Sequence, residues 1–211
     1  MPSRRRDRQR RPARETARRQ PRRRLLVVCE GKVTEPEYIR GLAGRLRCNM
    51  VKIEIVPRSG RDLRLIERAL KERERADRAA EREGDAFLRY DDVWCVYDVD
   101  DTPRGRLTEA RDRARKTGLR LAVSNPCFEL WLLLHFRDSP GARQRADVQR
   151  MQEGYTPGYG KHVDFSLFCD GLADAERRSC ELDSQARGDG EPHRNPTTGM
   201  YLLVSSIRSG C

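Results

Sequence analysis

The stretch RLLVVCEGKVTEPEY, residues 24–38, decides how this chain folds. Its apolar run at 25–28 predicts a short buried strand, and a helix is predicted over 34–46. Thr34 and Glu37 have the spacing of a capping box, which marks the start of that helix. Glu30 lies in the turn between the two elements. The stretch therefore predicts an acid at the end of a strand.

Further strands and helices alternate after this stretch. Strands are predicted at 51–56, 93–97 and 119–123, and helices at 63–83, 107–117 and 128–136. Alternation of this length predicts an α/β fold, with a four-stranded, mainly parallel sheet flanked by helices.

The C-terminal part has a different pattern. Residues 137–160 are polar and rich in Gly and Pro, with a short helix expected near 146–151. Helices are predicted at 165–186 and at 197–207, the second capped near Asn195. We therefore divide the chain into an arm (1–24), an α/β core (25–137) and a loop with a helical C-terminal extension (138–211).

The basic charge of the chain belongs to the arm. Residues 1–24 hold twelve arginines and two acids, so they supply +10 of the formal charge of +11. The arm has almost no apolar residues and is predicted to be disordered. An arginine-rich arm fits phosphate binding through counterion release. It equally fits a role in solubility, or a codon bias towards arginine, and the sequence leaves these alternatives open.

Composition excludes several classes of protein. No apolar run approaches a membrane span, and no apolar segment follows the charged N-terminus, so a cytoplasmic protein without membrane contact is expected. The seven cysteines are scattered without a CxxC pair, and those within apolar runs are expected to be reduced core residues. The three histidines lack the spacing of a zinc site. Trp94 and Trp131 lie in apolar runs typical of core, whereas Tyr155 and Tyr159 are candidates for nucleic-acid contact.

A second acidic turn, VWCVYDVDD at 93–101, repeats the pattern of the opening stretch. Asp98 and Asp100 are two residues apart in an extended segment and face the same side, with Asp101 next to them. If the strands that end at Glu30 and Asp98 are neighbours, the acids converge at the carboxyl edge of the sheet. Crowded carboxylates without His or Cys favour Mg²⁺ or Mn²⁺ as the bound ion. Acids at strand ends also cap helices or lie in solvent, and this alternative stays open.

Several motifs together carry a resemblance to a known family. They are CEGKVTEPEY (29–38), YDVDD (97–101), SNPCFELWLLLHF (124–136), YGKHVDF (159–165) and NPTTGMYLLV (195–204). In this order they resemble the RloB family, also called the AbiLii-type abortive-infection proteins, whose core is a Toprim-like domain. The resemblance spans residues 24–207 and leaves the arm outside.

The resemblance implies roles for single residues. Glu30 matches the glutamate that acts as general acid or base and as metal ligand in Toprim nucleases, and Asp98 and Asp100 match the metal-binding DxD pair. Glu35 matches the second acid of the first motif, although an acid in a first helical turn is also stabilised by the helix dipole. Asp101 extends the candidate metal ligands.

Two further residues are candidates for the site. Glu129 is a lone acid in an apolar helix, and either the metal site or a salt bridge to a neighbouring Arg would compensate its burial. Lys161 can hold a phosphate oxygen or stabilise developing charge, or it can be solvated. Ser124 and Asn125 are expected to cap the helix that follows them, although its free N–H groups can also receive a phosphate.

The resemblance implies a Mg²⁺- or Mn²⁺-dependent endonuclease of an antiphage, abortive-infection system. Its substrate would be nucleic acid, either DNA or RNA, with tRNA among the candidates. An AAA- or ABC-type ATPase encoded nearby would be its partner, because the chain itself has no GxxxxGK[ST] motif. The alternatives are a noncatalytic Toprim-like module that binds nucleic acid or a partner, and phosphoryl transfer on a small nucleotide.

Overall fold

The computed structural model describes residues 23–46, 51–57, 62–99 and 104–209. The sheet strands in these ranges are β1 (Arg23–Cys29), β2 (Val51–Val56), β3 (Asp92–Asp98), β4 (Arg120–Asn125) and β5 (Thr197–Thr198). The α-helices are α1 (Thr34–Leu46), α2 (Asp62–Glu83), α3 (Arg104–Thr117), α4 (Glu129–Leu133), α5 (Arg145–Tyr155), α6 (Leu172–Gly188) and α7 (Met200–Arg208). Most of the predicted arm, residues 1–22, lies outside the described residues. The last two residues of the predicted arm, Arg23 and Arg24, belong to β1.

The sheet has the strand order β2-β1-β3-β4-β5. The first four strands in this order are parallel, and β5 pairs antiparallel with the end of β4 through Ser124 and Thr198. The α/β fold and its mainly parallel sheet are thus confirmed, but the sheet has five strands among the described residues rather than the predicted four. The fifth strand has only two residues, too few for any periodic pattern in the sequence.

Alternate residues of the strands enter two separate cores. Leu25, Val27 and Cys29 of β1 pack in one hydrophobic cluster with residues of α1, α4 and α7. Leu26 and Val28 pack in the other cluster, which includes residues of α2 and α3. Successive side chains on a strand point to opposite faces of the sheet, so β1 is apolar on both faces. The fold therefore has helices on both faces of the sheet.

Several predicted helices have different bounds or breaks. The apolar run at 128–136 contains only a short regular helix, α4, whose N-cap residue is Phe128. The expected helix over 165–186 is a 3₁₀ helix (Phe165–Phe168) followed by α6. Between them, a Cβ on Gly171 would lie 2.1 Å from the backbone oxygen of His135, so this close approach requires glycine.

The last predicted helix, 197–207, begins three residues later than expected. Residues 197–198 form β5, and α7 starts at Met200 with Gly199 as its N-cap residue. Asn195 does not cap it, because its side chain exchanges hydrogen bonds with the backbone of Arg143 at 2.6 and 3.3 Å. Among the described helices, none combines the length and the apolar character that a membrane span requires.

Candidate active site

The strands that carry the two predicted acidic turns are neighbours. β1 and β3 run parallel, with Cys29 opposite Val96. The chain remains paired just beyond β1, where the Glu30 N–H donates to the Val96 carbonyl at 3.0 Å. The Glu30 carboxylate then accepts a hydrogen bond from the Asp98 N–H at 3.4 Å. Glu30 and Asp98 therefore adjoin at the carboxyl edge of the sheet, where ligands bind in open parallel sheets.

An open pocket of about 370 Å³ lies over this edge. Five residues predicted from the sequence as site residues line it, namely Glu30, Glu35, Asp98, Glu129 and Lys161. Gly31, Lys32, Thr34, Phe128 and Arg145 are also in its lining. Asp100 and Asp101 lie outside the described residues. The pocket thus collects acids from two strand ends and from two helix starts.

Glu35 enters the pocket from the first turn of α1 and is 6% exposed. Its carboxylate accepts a hydrogen bond from the Gly31 N–H at 3.2 Å. Burial raises the pKa of Glu35 above its usual value, and the charges of Glu129 and Glu30 raise it further, while hydrogen bonds from backbone N–H groups oppose the rise. Glu35 is therefore part of a group of interacting carboxyls as well as a first-turn acid.

The capping box predicted for α1 is wrong. The Glu37 carboxylate accepts a hydrogen bond from the Val163 N–H at 2.8 Å and contacts the His162 ring at 3.1 Å, rather than capping its own helix. The Thr34 hydroxyl donates to the Lys161 carbonyl at 2.9 Å. Both side chains thus join the start of α1 to a distant segment, and a capping box cannot be told from such contacts by spacing alone.

Glu129 is the first residue of α4 and is 3% exposed. Its carboxylate accepts a hydrogen bond from the Gln149 side chain at 3.0 Å. The salt bridge to an arginine that the sequence left open is not found among the described residues, where this amide contact takes its place. The buried acid is therefore compensated by a neutral donor, which leaves its negative charge in the pocket.

Ser124 and Asn125 do not cap α4. The Ser124 hydroxyl lies 2.8 Å from that of Thr198, and the Asn125 amide donates to the His193 carbonyl at 2.7 Å. These contacts fix β5 and the chain before it against the end of β4. The two side chains therefore hold β5 and the segment before it, instead of the helix start.

Lys161 lies in a tightly folded segment with a positive φ of 71°. The neighbouring Tyr159 is 6% exposed, and its hydroxyl donates to that of Thr34 at 3.4 Å, so the expectation that Tyr159 is an exposed nucleic-acid contact is wrong. Burial, with the nearby Glu129 charge, raises the pKa of Tyr159 well above its usual value. Tyr155 is 44% exposed and stacks on Phe136.

Sequence reasoning missed two residues of helix α5. The Arg145 guanidinium lies 3.8 Å from the Asp98 carboxylate, and Gln149 holds Glu129. They are four positions apart and so share one face of the helix. The polar sequence around them offers no signal, because other arginines and glutamines lie in the same segment without reaching the pocket.

The predicted ions can be compared with the donors in the pocket. Glu30 and Asp98 offer carboxylate oxygens, which are the ligands that Mg²⁺ and Mn²⁺ prefer. Within the described ranges, no group of three or more His, Cys, Asp or Glu residues is arranged to hold a metal ion. Two of the four predicted ligands, Asp100 and Asp101, lie outside those ranges, so the metal site stays a prediction.

The fold and the pocket define an α/β protein with an acid-lined pocket at the carboxyl ends of its parallel strands. The family model described as RloB-like protein matches residues 25–207. The chain therefore belongs to the RloB-like protein family. No curated protein and no solved structure matches the chain.

Proposed function

We propose that this protein is a metal-dependent endonuclease of a prokaryotic abortive-infection system, built on a Toprim-like core and working with an ATPase partner. The observation that carries the proposal is that Glu30 and Asp98 adjoin in one pocket with Glu35 and Glu129. The Asp98 N–H lies 3.4 Å from the Glu30 carboxylate oxygen that accepts its hydrogen bond. Membership of the RloB-like family supports the association with defence.

The donor chemistry of the pocket supports an ion of the Mg²⁺ type. Glu30 and Asp98 would hold it, together with Asp100 and Asp101 from the predicted ligand set. When bound, such an ion polarises a phosphate, activates water and stabilises the leaving oxygen. The raised pKa of Glu35, caused by burial and then by Glu129 and Glu30, indicates that the carboxyls repel one another, which a bound cation would relieve.

The roles of the protein's own groups follow from their positions. Glu30 adjoins Asp98 and is the candidate general acid or base. Lys161 lines the same pocket as the acids, where an ammonium group would hold a phosphate oxygen. Glu129 is oriented by Gln149, so its charge stays directed to the pocket. DNA, tRNA and other RNA all present the phosphodiester that this set of groups would recognise.

The test is cleavage of DNA and RNA by the purified protein with Mg²⁺ or Mn²⁺, alone and after co-expression with an adjacent ATPase gene. Glu30→Gln and Asp98→Ala should each abolish cleavage. Glu153→Gln, which changes an exposed acid of α5, is the matched control and should cleave as the wild type does. Thermal melting checks that each variant is folded. Full cleavage by either site variant would overturn the proposal.

A noncatalytic module that binds nucleic acid or a partner is the second candidate. The Arg145 contact with Asp98 favours it, because an arginine can neutralise this acid without a metal. Calorimetric titration with Mn²⁺ separates the two candidates. Binding that Asp98→Ala removes supports the nuclease, whereas no detectable binding and no cleavage support the module.

A further inference from the structure

We infer that Arg145 forms a phosphate-binding subsite of the pocket and contacts the backbone of a bound nucleic acid. The inference rests on the proposed function, because it assigns the substrate contact of the same site. Arg145 begins helix α5, which belongs to the C-terminal extension and not to the sheet. It lines the same pocket as Glu30 and Asp98.

The position of the guanidinium is the first argument. Its distance of 3.8 Å from the Asp98 carboxylate is an ion pair but exceeds hydrogen-bond length. The Arg145 side chain is 37% exposed, whereas that of Asp98 is 9% exposed. Arg145 therefore offers the pocket a guanidinium that solvent reaches, next to an acid that is nearly buried.

The balance of charge in the pocket is the second argument. The described lining contains four acids and three bases, the bases being Lys32, Arg145 and Lys161. A divalent cation on the acids would offset part of the negative charge in the pocket, to which the predicted ligands Asp100 and Asp101 also contribute, and would weaken the attraction between Arg145 and Asp98. An anion would then be favoured at the guanidinium. A phosphodiester fits, since its two free oxygens match the planar fork of an arginine.

Helix α5 also explains why the guanidinium stays in place. Gln149, one turn further along, holds Glu129, and Val148 between them is fully buried in the core. The next arginine of the helix, Arg150, has a side chain that is 76% exposed and pairs with Asp147. The two arginines share one helix, but only Arg145 lines the pocket, so Arg150 is the matched control.

The experiment measures binding of a labelled single-stranded DNA and of a labelled RNA of the same sequence to the full chain. Ca²⁺ replaces Mg²⁺, and the dissociation constant is measured by fluorescence anisotropy over a range of salt concentrations. Arg145→Gln should weaken binding at least ~10-fold, the value of one charged hydrogen-bonded contact, and should lower the salt slope by about one phosphate. Arg150→Gln should bind within about twofold of the wild type, because it removes only an exposed ion pair.

Arg145→Lys keeps the charge next to Asp98 and guards against a folding defect. It should keep the salt slope of the wild type but bind more weakly, because an ammonium group lacks the planar fork. The arm is present in every variant, so its contribution cancels in the comparison. A loss for DNA only, or for RNA only, identifies the preferred substrate and supports the subsite.

The two proposals fail in different ways. If Arg145→Gln cleaves and binds nucleic acid as the wild type does, the subsite is overturned and the nuclease proposal is unaffected. Binding that depends on Arg145, without cleavage under any condition, overturns the nuclease and supports the subsite. Absence of nucleic-acid binding by the wild-type protein overturns both.

Discussion

Two glycines of helix α1 should respond in opposite ways to alanine. A Cβ at Gly41 would lie 2.2 Å from the Cβ of Phe165 and 2.7 Å from its Cγ, while a Cβ at Gly44 would meet no described residue within 4 Å. Phe165 is 7% exposed and packs edge-on against Tyr38 at 5.1 Å. Gly41 therefore allows the segment that follows Lys161 to pack against α1.

The magnitudes follow from these contacts. Alanine in place of glycine in a helix interior stabilises by about 1 kcal/mol. Gly44 lies in the last turn of α1, so the gain there should be smaller, but no contact with the described residues opposes it. At Gly41 the new methyl group overlaps a buried ring that has little room to move, and overpacking of this kind costs ~3 kcal/mol at the upper end of its usual range. Gly41→Ala should therefore lower the free energy of unfolding by about 2 kcal/mol, after the gain in helix propensity is subtracted.

Urea denaturation of the wild type and the two variants, followed by circular dichroism, gives the difference directly. Gly41→Ala should unfold at lower urea than the wild type and Gly44→Ala at higher urea. Displacement of Phe165 should also disturb Lys161, four residues earlier, so cleavage should fall in Gly41→Ala and not in Gly44→Ala. Equal stabilisation by both substitutions would refute the packing assigned to Phe165.

Two further predictions concern pH and use the metal-free protein in a chelator. Folding raises the pKa of Glu35 above 4.5, chiefly by burial, so the free energy of unfolding should fall as pH rises above 4.5. Glu35→Gln should remove this fall. A difference in unfolding free energy between the variant and the wild type that does not change with pH would contradict the prediction. Burial lowers the pKa of His135 from 6.5 to about 4. Between these two pH values the folded state binds fewer protons than the unfolded state, so the free energy of unfolding should fall as pH decreases from 6.5 to about 4. His135→Leu should reduce that fall, measured by urea unfolding at several pH values, by on the order of 3 kcal/mol, with His193 supplying a remaining slope of the same sign. An unchanged slope in His135→Leu would mean that burial does not hold this histidine neutral in the folded state.

Local sequence patterns were enough to predict the parallel strands of the sheet and helix α1, which connects β1 to β2. Helix α1 and strand β2 have the bounds predicted from the sequence, because period and strand alternation are local properties. β5 was missed because its two residues form a strand only by pairing with the end of β4. The break before α6 was missed because Gly171 is required by a contact with a residue far away in the sequence, His135. Tertiary contacts therefore account for both errors.

The candidate site divides in the same way. Glu30 and Asp98 could be found because acids at strand ends are visible in the sequence, although their meeting depended on β1 and β3 being neighbours. The neighbourhood of Arg145 and Gln149 could not be found, because it depends on how α5 packs against α4. The role of Glu37 was misjudged for a related reason, since its carboxylate contacts residues more than a hundred positions away.

The pocket consequently has two parts with different structural origins. Glu30 and Asp98 are fixed by backbone pairing within the sheet. Arg145, Gln149 and Lys161 come from beyond residue 137, the predicted end of the α/β core, and their segments bury Val148, Tyr159 and Phe165 in the same hydrophobic cluster as the sheet. Packing of side chains, together with the hydrogen bonds that Thr34 and Glu37 make to the segment of Lys161, holds this second part. Core strands are among the regions that cost the most free energy to open, so this second part should open at a lower cost than the paired strands. A change that weakens the cluster on this side should therefore open the basic wall of the pocket first, while the acidic pair at the strand ends stays in place.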